Sequence, residues 1–204
     1  ETRLFPAGSD AEIPLAAMPG GRLIGDVVHQ VLEQALKSGR FAGATRAEIT
    51  PQIAELLEPA MERMQLEARW LAPLADTLTT CLTEPLTLDD VSCRLSQIKP
   101  HQLATEVQFL LRLGGVTEFS TQKLATAFAS SSNSLFRDYS RRVRAMSVVG
   151  IQGFLAGFVD LVFEIHGKWF IVDYKTNFLG SNVSDYSRER LDTAMFEHDY
   201  LLQA

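Results

Sequence analysis

The sequence predicts an α/β fold with a mainly helical first half and a β-sheet in the second half. Apolar residues recur at helical spacing before residue 100, whereas later segments alternate with the period of two that is typical of half-buried strands. With 204 residues, 46% of them hydrophobic, the chain is long enough to bury one core. We therefore expect a single domain, 1–204, with an irregular entry segment at 1–20, a mainly helical part at 21–100 and a sheet core at 101–204.

Composition excludes several classes of protein. No segment approaches the roughly 20 apolar residues that span a bilayer, which indicates a cytoplasmic protein without a membrane partner. Cys81 and Cys93 lack the spacing of a zinc or iron–sulfur site, so we expect both to be reduced and structural. A net charge of −6 argues against a domain that holds nucleic acid by surface charge alone. Because Glu1 is not an initiator methionine, we expect a fragment of a longer polypeptide.

Two stretches of the first half have a helical pattern. Leu23–Leu36 carries a continuous apolar stripe and is followed by Gly39, a common helix stop. Ile53–Leu82 also has a helical pattern, but we expect Pro59 and Pro73 to break it.

The first predicted strand is Ala104–Leu113, with Val107 and Phe109 on one face and Glu106 on the other. We expect 114–147 to be an irregular insert with one helical piece. The insert contains a basic cluster of Arg141, Arg142 and Arg144. A cluster of this kind is more often a solvated face of a helix than a contact to phosphate.

A β-hairpin is predicted near the end of the chain. The segments Phe154–Ile165 and Lys168–Phe178 are rich in β-branched and aromatic residues and flank His166-Gly167, a two-residue turn. Beyond the hairpin the chain becomes polar and then helical, from Tyr186 to Phe196.

Pairing across this turn places Asp160 opposite Asp173, with Cβ atoms roughly 4.5 to 5.5 Å apart. Two like charges between apolar strands are unfavourable unless a cation lies between them, and carboxylate oxygens are ligands that Mg²⁺ prefers. Lys175 shares a face with Asp173, where its ammonium can stabilise charge on a phosphoryl oxygen. This arrangement indicates phosphodiester hydrolysis. The alternative is an ordinary ion pair between Asp173 and Lys175, with Asp160 at an exposed sheet edge.

Four separated motifs, in this order along the chain, resemble the RecB branch of the PD-(D/E)xK nuclease superfamily. They are Gly25-x-x-x-His29 on the first helix, Gly153–Phe163, Asp173–Asn177 and Leu179-Gly180. The motifs cover most of the chain, although valine precedes Asp160 where the superfamily name has proline. The resemblance implies a restriction-endonuclease-like fold, in which helices flank a central mixed β-sheet.

The resemblance also implies site residues. His29, Asp160, Asp173 and the backbone carbonyl of Tyr174 would bind Mg²⁺, and Mn²⁺ or Ca²⁺ can occupy such a site. Asp173 and Lys175 would be catalytic.

Two further residues match weaker positions of the family. Glu106 matches an earlier acidic position, and Gln203 matches the glutamine of a Gln-x-x-x-Tyr motif whose tyrosine would lie beyond Ala204. The family implies a catalytic role for both. Without the resemblance, Glu106 is an ordinary solvent-facing strand residue and His29 a structural or solvated helix residue.

A Mg²⁺-dependent deoxyribonuclease follows from the resemblance, one that hydrolyses single-stranded DNA unwound by an attached helicase during double-strand-break repair and recombination. Its partners would be helicase domains upstream in the same polypeptide and RecC-like and RecD-like subunits. The chain has neither a P-loop nor a Gly-x-Ser-x-Gly elbow, so we expect no ATP site and no serine hydrolase. The alternative from another class is a catalytically silent module of this fold that binds DNA or partners as a scaffold.

Overall fold

A computed structural model of the chain describes residues 10–88, 90–113, 120–146 and 153–203. Six α-helices lie in these ranges: α1 (Arg22–Ser38), α2 (Arg46–Arg63), α3 (Leu71–Thr83), α4 (Thr121–Ala129), α5 (Ser134–Ala145) and α6 (Arg188–Glu197). The strands of the same ranges are β1 (Leu86–Leu88), β2 (Val91–Cys93), β3 (Leu103–Leu113), β4 (Gly153–Ile165) and β5 (Lys168–Val172). Short 3₁₀ helices occupy Ala68–Trp70, Leu95–Gln97, Pro100–Gln102, Val183–Tyr186 and Tyr200–Leu202.

The chain groups into two compact units. One consists of Glu1–Val107 with Phe158–Ser184, and the other of Gln108–Gly157 with Asp185–Ala204. The single-domain organisation expected from chain length stays a prediction. No helix in the described ranges has the length and apolarity needed to cross a membrane.

The first unit has a hydrophobic core between its helices and the β4–β5 hairpin. Val27 and Val31 of α1, Ile53 of α2, and Leu161 and Phe163 of β4 belong to one cluster. Each of these side chains is at most 1% exposed. Because α1 and β4 bury their apolar faces in the same cluster, α1 is held against the hairpin.

Helix α1 confirms the first predicted helix, including its stop. Gly39 follows the helix with a left-handed φ of 62°. A Cβ atom at this position would lie 2.5 Å from Cγ of Pro100, so both the backbone angle and the space require glycine.

Contrary to the prediction, Pro59 does not break the second helical stretch. Helix α2 contains Pro51 and Pro59 and has a capping box of Thr45 and Glu48 at its start. An interior proline costs about 3 kcal/mol, and the burial of the apolar stripe of α2 outweighs this cost. That stripe consists of Ile49, Ile53, Leu57, Ala60 and Met61. The chain instead leaves the helix after Arg63, and Pro73 lies in the first turn of α3.

The predicted hairpin and its register are confirmed over the paired part. Strand β4 lies between β3 and β5 in a three-stranded sheet. β4 and β5 are antiparallel, with Ile165 opposite Lys168. His166 and Gly167 have φ values of 53° and 77°, as the two-residue hairpin turn requires. A second small hairpin, β1–β2, was not predicted.

The β4–β5 ladder ends earlier than predicted. Its last pair is Leu161 with Val172. Asp173 lies beyond the end of β5, so the predicted Asp160–Asp173 strand pair is not formed.

The second unit has its own small core, to which α5 contributes Tyr139 and Val143, both 0% exposed. The Tyr139 hydroxyl donates a 2.7 Å hydrogen bond to the Asp199 carboxylate, and Arg142 binds both oxygens of the same carboxylate. This network ties the segment after α6 to α5. The insert is more regular than predicted, because its described part contains both α4 and α5.

Candidate metal centre

Three side chains of the first unit meet in space. The described residues His29 on α1, Glu106 on β3 and Asp160 on β4 offer ligand atoms that all lie within 4.8 Å of one another. Since each residue comes from a different element, the fold and not the local sequence assembles this group.

The Asp160 carboxylate is held by the backbone beyond β5. The backbone N–H of Tyr174 donates a 2.7 Å hydrogen bond to Oδ2 of Asp160. The Asp160 side chain is only 11% exposed, and one hydrogen bond does not replace the solvation of a buried carboxylate. Its other oxygen, Oδ1, lies 3.6 Å from Nδ1 of His29.

The His29 ring lies between this carboxylate and the Tyr174 carbonyl. Nε2 of His29 is 3.1 Å from the carbonyl oxygen of Tyr174. A carbonyl oxygen only accepts, so Nε2 is the donor and carries the proton. In a neutral imidazole Nδ1 then has a lone pair, and its 3.6 Å separation from Asp160 exceeds hydrogen-bonding distance. A lone pair and a carboxylate oxygen therefore face each other.

The spacing of these atoms fits a divalent ion. Ligands about 2.1 Å from Mg²⁺ are roughly 3.0 Å apart when adjacent and roughly 4.2 Å apart when opposite. The 3.6 Å between His29 and Asp160 falls inside this range. The Tyr174 carbonyl accepts the hydrogen bond of His29 Nε2, so its contact with a metal ion stays a prediction. One imidazole, two carboxylates and a carbonyl suit Mg²⁺ or Mn²⁺.

Glu106 has an unusual backbone for a strand residue. Its φ is 50°, in the left-handed region that non-glycine residues avoid at a cost of about 1 to 2 kcal/mol. The alternation along β3 predicted the face of Glu106 but not this angle, since such positions usually carry glycine or asparagine. The strain accompanies a side chain that the fold brings to the group of three candidate ligands.

Gly25 explains the spacing of the Gly25-x-x-x-His29 motif. One turn before His29, a Cβ atom on Gly25 would lie 3.2 Å from Oγ1 of Thr176. The missing side chain thus allows the segment after β5 to approach α1. This approach brings Tyr174 next to His29.

Asp173 and Lys175 are placed together but outside the group of three. Their side chains form an ion pair, with Asp173 41% and Lys175 29% exposed. Gln203 follows the last 3₁₀ helix in the second unit, and its catalytic role stays a prediction. The amide of Tyr174 is a functional group that the sequence did not indicate, because only its carbonyl was expected to take part.

Comparison with known proteins agrees with this geometry. Residues 12–191 match the PD-(D/E)XK nuclease superfamily, and the chain belongs to this superfamily. Among individual proteins, it is similar to the RecBCD enzyme subunit RecB of several bacteria. Identity to the Mycobacterium tuberculosis subunit is 31% over 216 residues, or 97% of this chain. The Escherichia coli K12 subunit is 30% identical over 148 residues, or 70% of this chain.

These relatives are much longer than the matched region. The match covers 19% of the M. tuberculosis subunit and 12% of the E. coli subunit. The Borreliella burgdorferi subunit is 26% identical over 91% of this chain and 14% of its own length. The chain therefore corresponds to one part of a RecB-like polypeptide.

Proposed function

We propose that this chain is the nuclease part of a RecB-type subunit and that it hydrolyses phosphodiester bonds of single-stranded DNA with Mg²⁺ as cofactor. Membership of a nuclease superfamily and the convergence of His29, Glu106 and Asp160 support the proposal. The second of these observations supports the metal dependence, because three ligand atoms within 4.8 Å of one another can share one ion.

The chain's own residues divide the work. His29, Asp160 and the Tyr174 carbonyl would hold the ion, with Glu106 as a further acid on the same group. The Tyr174 amide keeps the Asp160 carboxylate in place. A bound divalent ion lowers the pKa of water and neutralises charge that develops on the phosphate.

Lys175 and Asp173 serve the phosphate side of the reaction in this proposal. The ion pair restricts the Lys175 ammonium, which can then stabilise negative charge on a phosphoryl oxygen. The resemblance assigns Asp173 a direct metal contact, and this contact stays a prediction.

The wider setting is also proposed from the relatives. These relatives are RecB subunits of a RecBCD enzyme, so we propose RecC-like and RecD-like partners and helicase domains in the same polypeptide. An exodeoxyribonuclease V type of activity in the cytoplasm, acting in recombination and double-strand-break repair, belongs to the same proposal.

The test is cleavage of a labelled single-stranded oligonucleotide with Mg²⁺, in the wild type and in two variants. Asp160→Asn keeps an acceptor for the Tyr174 amide but removes the charge, and Lys175→Gln removes the ammonium. We expect each to lower the cleavage rate on the order of 100-fold or more. Asp192→Asn, which removes a surface carboxylate paired with Arg188, is the matched control and should cleave normally.

Cleavage that persists in excess EDTA, or in both variants, would sink the proposal. A folded wild type that binds DNA but never cleaves it would favour the scaffold alternative instead.

A further inference from the structure

Helix α5 carries three arginines along one side. Arg137, Arg141 and Arg144 are four and then three residues apart, so they lie within roughly 60° of one another around the helix axis. All three are exposed. We call them the arginine row.

The opposite side of α5 fixes which way the row faces. Tyr139 and Val143 are 0% exposed and pack in the core of the second unit. The ring of Tyr139 contacts Phe128 of α4 and Phe196 of α6 at centroid distances of 5.7 and 5.2 Å. With this side buried, the row can only point towards solvent.

Arg142 has a structural role and is not part of the arginine row. Its guanidinium binds both oxygens of Asp199 and lies 5.8 Å from the Phe196 ring centroid. The basic cluster recognised in the sequence therefore separates into one structural arginine and the exposed row.

The charge of the row is not neutralised by its own surroundings. Within the described ranges, the side chains of Arg141 and Arg144 make no hydrogen bond or ion pair. Arg137 donates to the backbone carbonyls of Ser131 and Ser132, which leaves its charge unpaired. Asp138 is the one acidic residue of α5.

Keeping such a row has a cost. Like charges three and four residues apart destabilise a helix by about 0.2 to 0.5 kcal/mol per pair. The C-terminal end of the helix dipole favours Arg144, but the first turn, where Arg137 lies, disfavours a cation. One acid of α5, Asp138, lies three residues before Arg141, but no ion pair joins the two side chains in the described part of the chain.

We infer that the arginine row binds the phosphodiester backbone of a DNA strand. The inference rests on the proposed function, since it takes DNA as the partner. Seven residues of helix span about 10.5 Å, which is long enough for the row to contact successive phosphates of one strand. Guanidinium groups bind phosphate oxygens in a fixed fork, which favours arginine over lysine for this contact.

The experiment measures binding without cleavage. Fluorescence anisotropy follows a labelled oligothymidylate in EDTA across a series of salt concentrations, with the wild-type chain and Arg141→Ala/Arg144→Ala. Each lost phosphate contact lowers the slope of log K against log salt by about 0.7, so we expect a fall of about 1.4 and a roughly 25-fold weaker affinity at 0.1 M salt.

Two matched variants complete the test. Arg40→Ala/Arg69→Ala removes the same net charge from exposed positions outside the row and should leave the slope unchanged. Arg141→Lys/Arg144→Lys keeps the charge and should restore most of the slope. Equal slopes for the row variant, the control and the wild type would overturn the inference, as would weaker binding with an unchanged slope. If the row instead binds an acidic protein partner, DNA binding should not depend on the row.

The outcome is separable from that of the proposed function. If DNA binding depends on the row but the chain never cleaves DNA, the nuclease proposal is wrong and the inference about the arginine row stands. Metal-dependent cleavage with row-independent binding would sink only the row.

Discussion

Glu106 joins a backbone angle with an energetic cost to a place in the candidate metal centre. Its φ of 50° lies in a strand, and its carboxylate lies near the His29 imidazole and the Asp160 carboxylate in one group of candidate ligands. Strained residues persist only where the surrounding structure holds them, and they concentrate at functional sites. The folded chain without metal also holds two carboxylates close together, which adds repulsion.

Replacing Glu106 should separate strain from charge. Glu106→Gly removes both, whereas Glu106→Ala removes the carboxylate and keeps a side chain at positive φ. We expect the glycine variant to have a free energy of unfolding about 1 kcal/mol above that of the alanine variant. Denaturant unfolding in EDTA measures the difference. An alanine variant as stable as the glycine variant would show that the angle carries no strain.

Tyr174 has a hydroxyl without a hydrogen-bond partner among the described residues, although the atom is buried. Burial, and then the nearby Asp160 charge, raises the pKa of this phenol. Tyr174→Phe removes the unsatisfied group, so we expect the free energy of unfolding to rise by about 1 kcal/mol. The same change at Tyr139, whose hydroxyl donates to Asp199, should lower it by a similar amount. Unfolding measurements that gave both variants the same sign would contradict this assignment.

The spacing of apolar residues predicted those helices and strands that bury one face. Helix α1 and strand β3 follow from it. The register of the β4–β5 hairpin follows from the two-residue turn at His166-Gly167, which places Ile165 opposite Lys168. The continuation of α2 through Pro59 and the regularity of α4 and α5 depend on tertiary packing, which no local pattern contains.

The site divides in the same way. The family resemblance implied site roles for His29, Glu106 and Asp160, and the structure places their ligand atoms close together. The ladder that was extended to Asp173 failed because the amide of Tyr174 binds the Asp160 side chain. Competition between a side chain and the strand ladder for one N–H cannot be read from alternation alone.

The stabilisation from the contact between α5 and the segment after α6 should depend on pH. Hydrogen bonds from Arg142 and then Tyr139 lower the pKa of Asp199 below its usual value of 3.8. The folded state thus binds this proton less tightly than the unfolded state, so the stabilisation is present at neutral pH and is lost as pH falls below about 4. Thermal melting between pH 7 and pH 3 measures the loss. Asp199→Asn should melt lower at pH 7 and show a smaller decline towards acid; an identical decline in both proteins would refute this.

For the whole molecule, metal binding and folding should be linked. The ligand group draws on α1, β3 and β4, which lie far apart in sequence, so an unfolded chain cannot hold the ion in the same way. A ligand at 100 times its Kd stabilises the folded state by about 2.7 kcal/mol.

Addition of Mg²⁺ or Mn²⁺ should therefore raise the melting temperature. For a chain of about 200 residues, each kcal/mol corresponds to roughly 2 to 4 °C. The shift should disappear in EDTA and be much smaller in Asp160→Asn, while Asp192→Asn should respond as the wild type does. Differential scanning calorimetry gives the result, and an equal shift in Asp160→Asn would place the ion elsewhere.

The two peptide groups on either side of the Tyr174 Cα make the contacts that order this centre, one through its N–H to Asp160 and the other through its C=O to His29. Substitutions other than proline alter the side chain and leave these groups in place. A deep mutational scan would accordingly score position 174 as tolerant of phenylalanine and rank it below the acids. Only an amide-to-ester replacement in the main chain, which deletes the N–H, would reveal how much of the centre is built from the polypeptide itself.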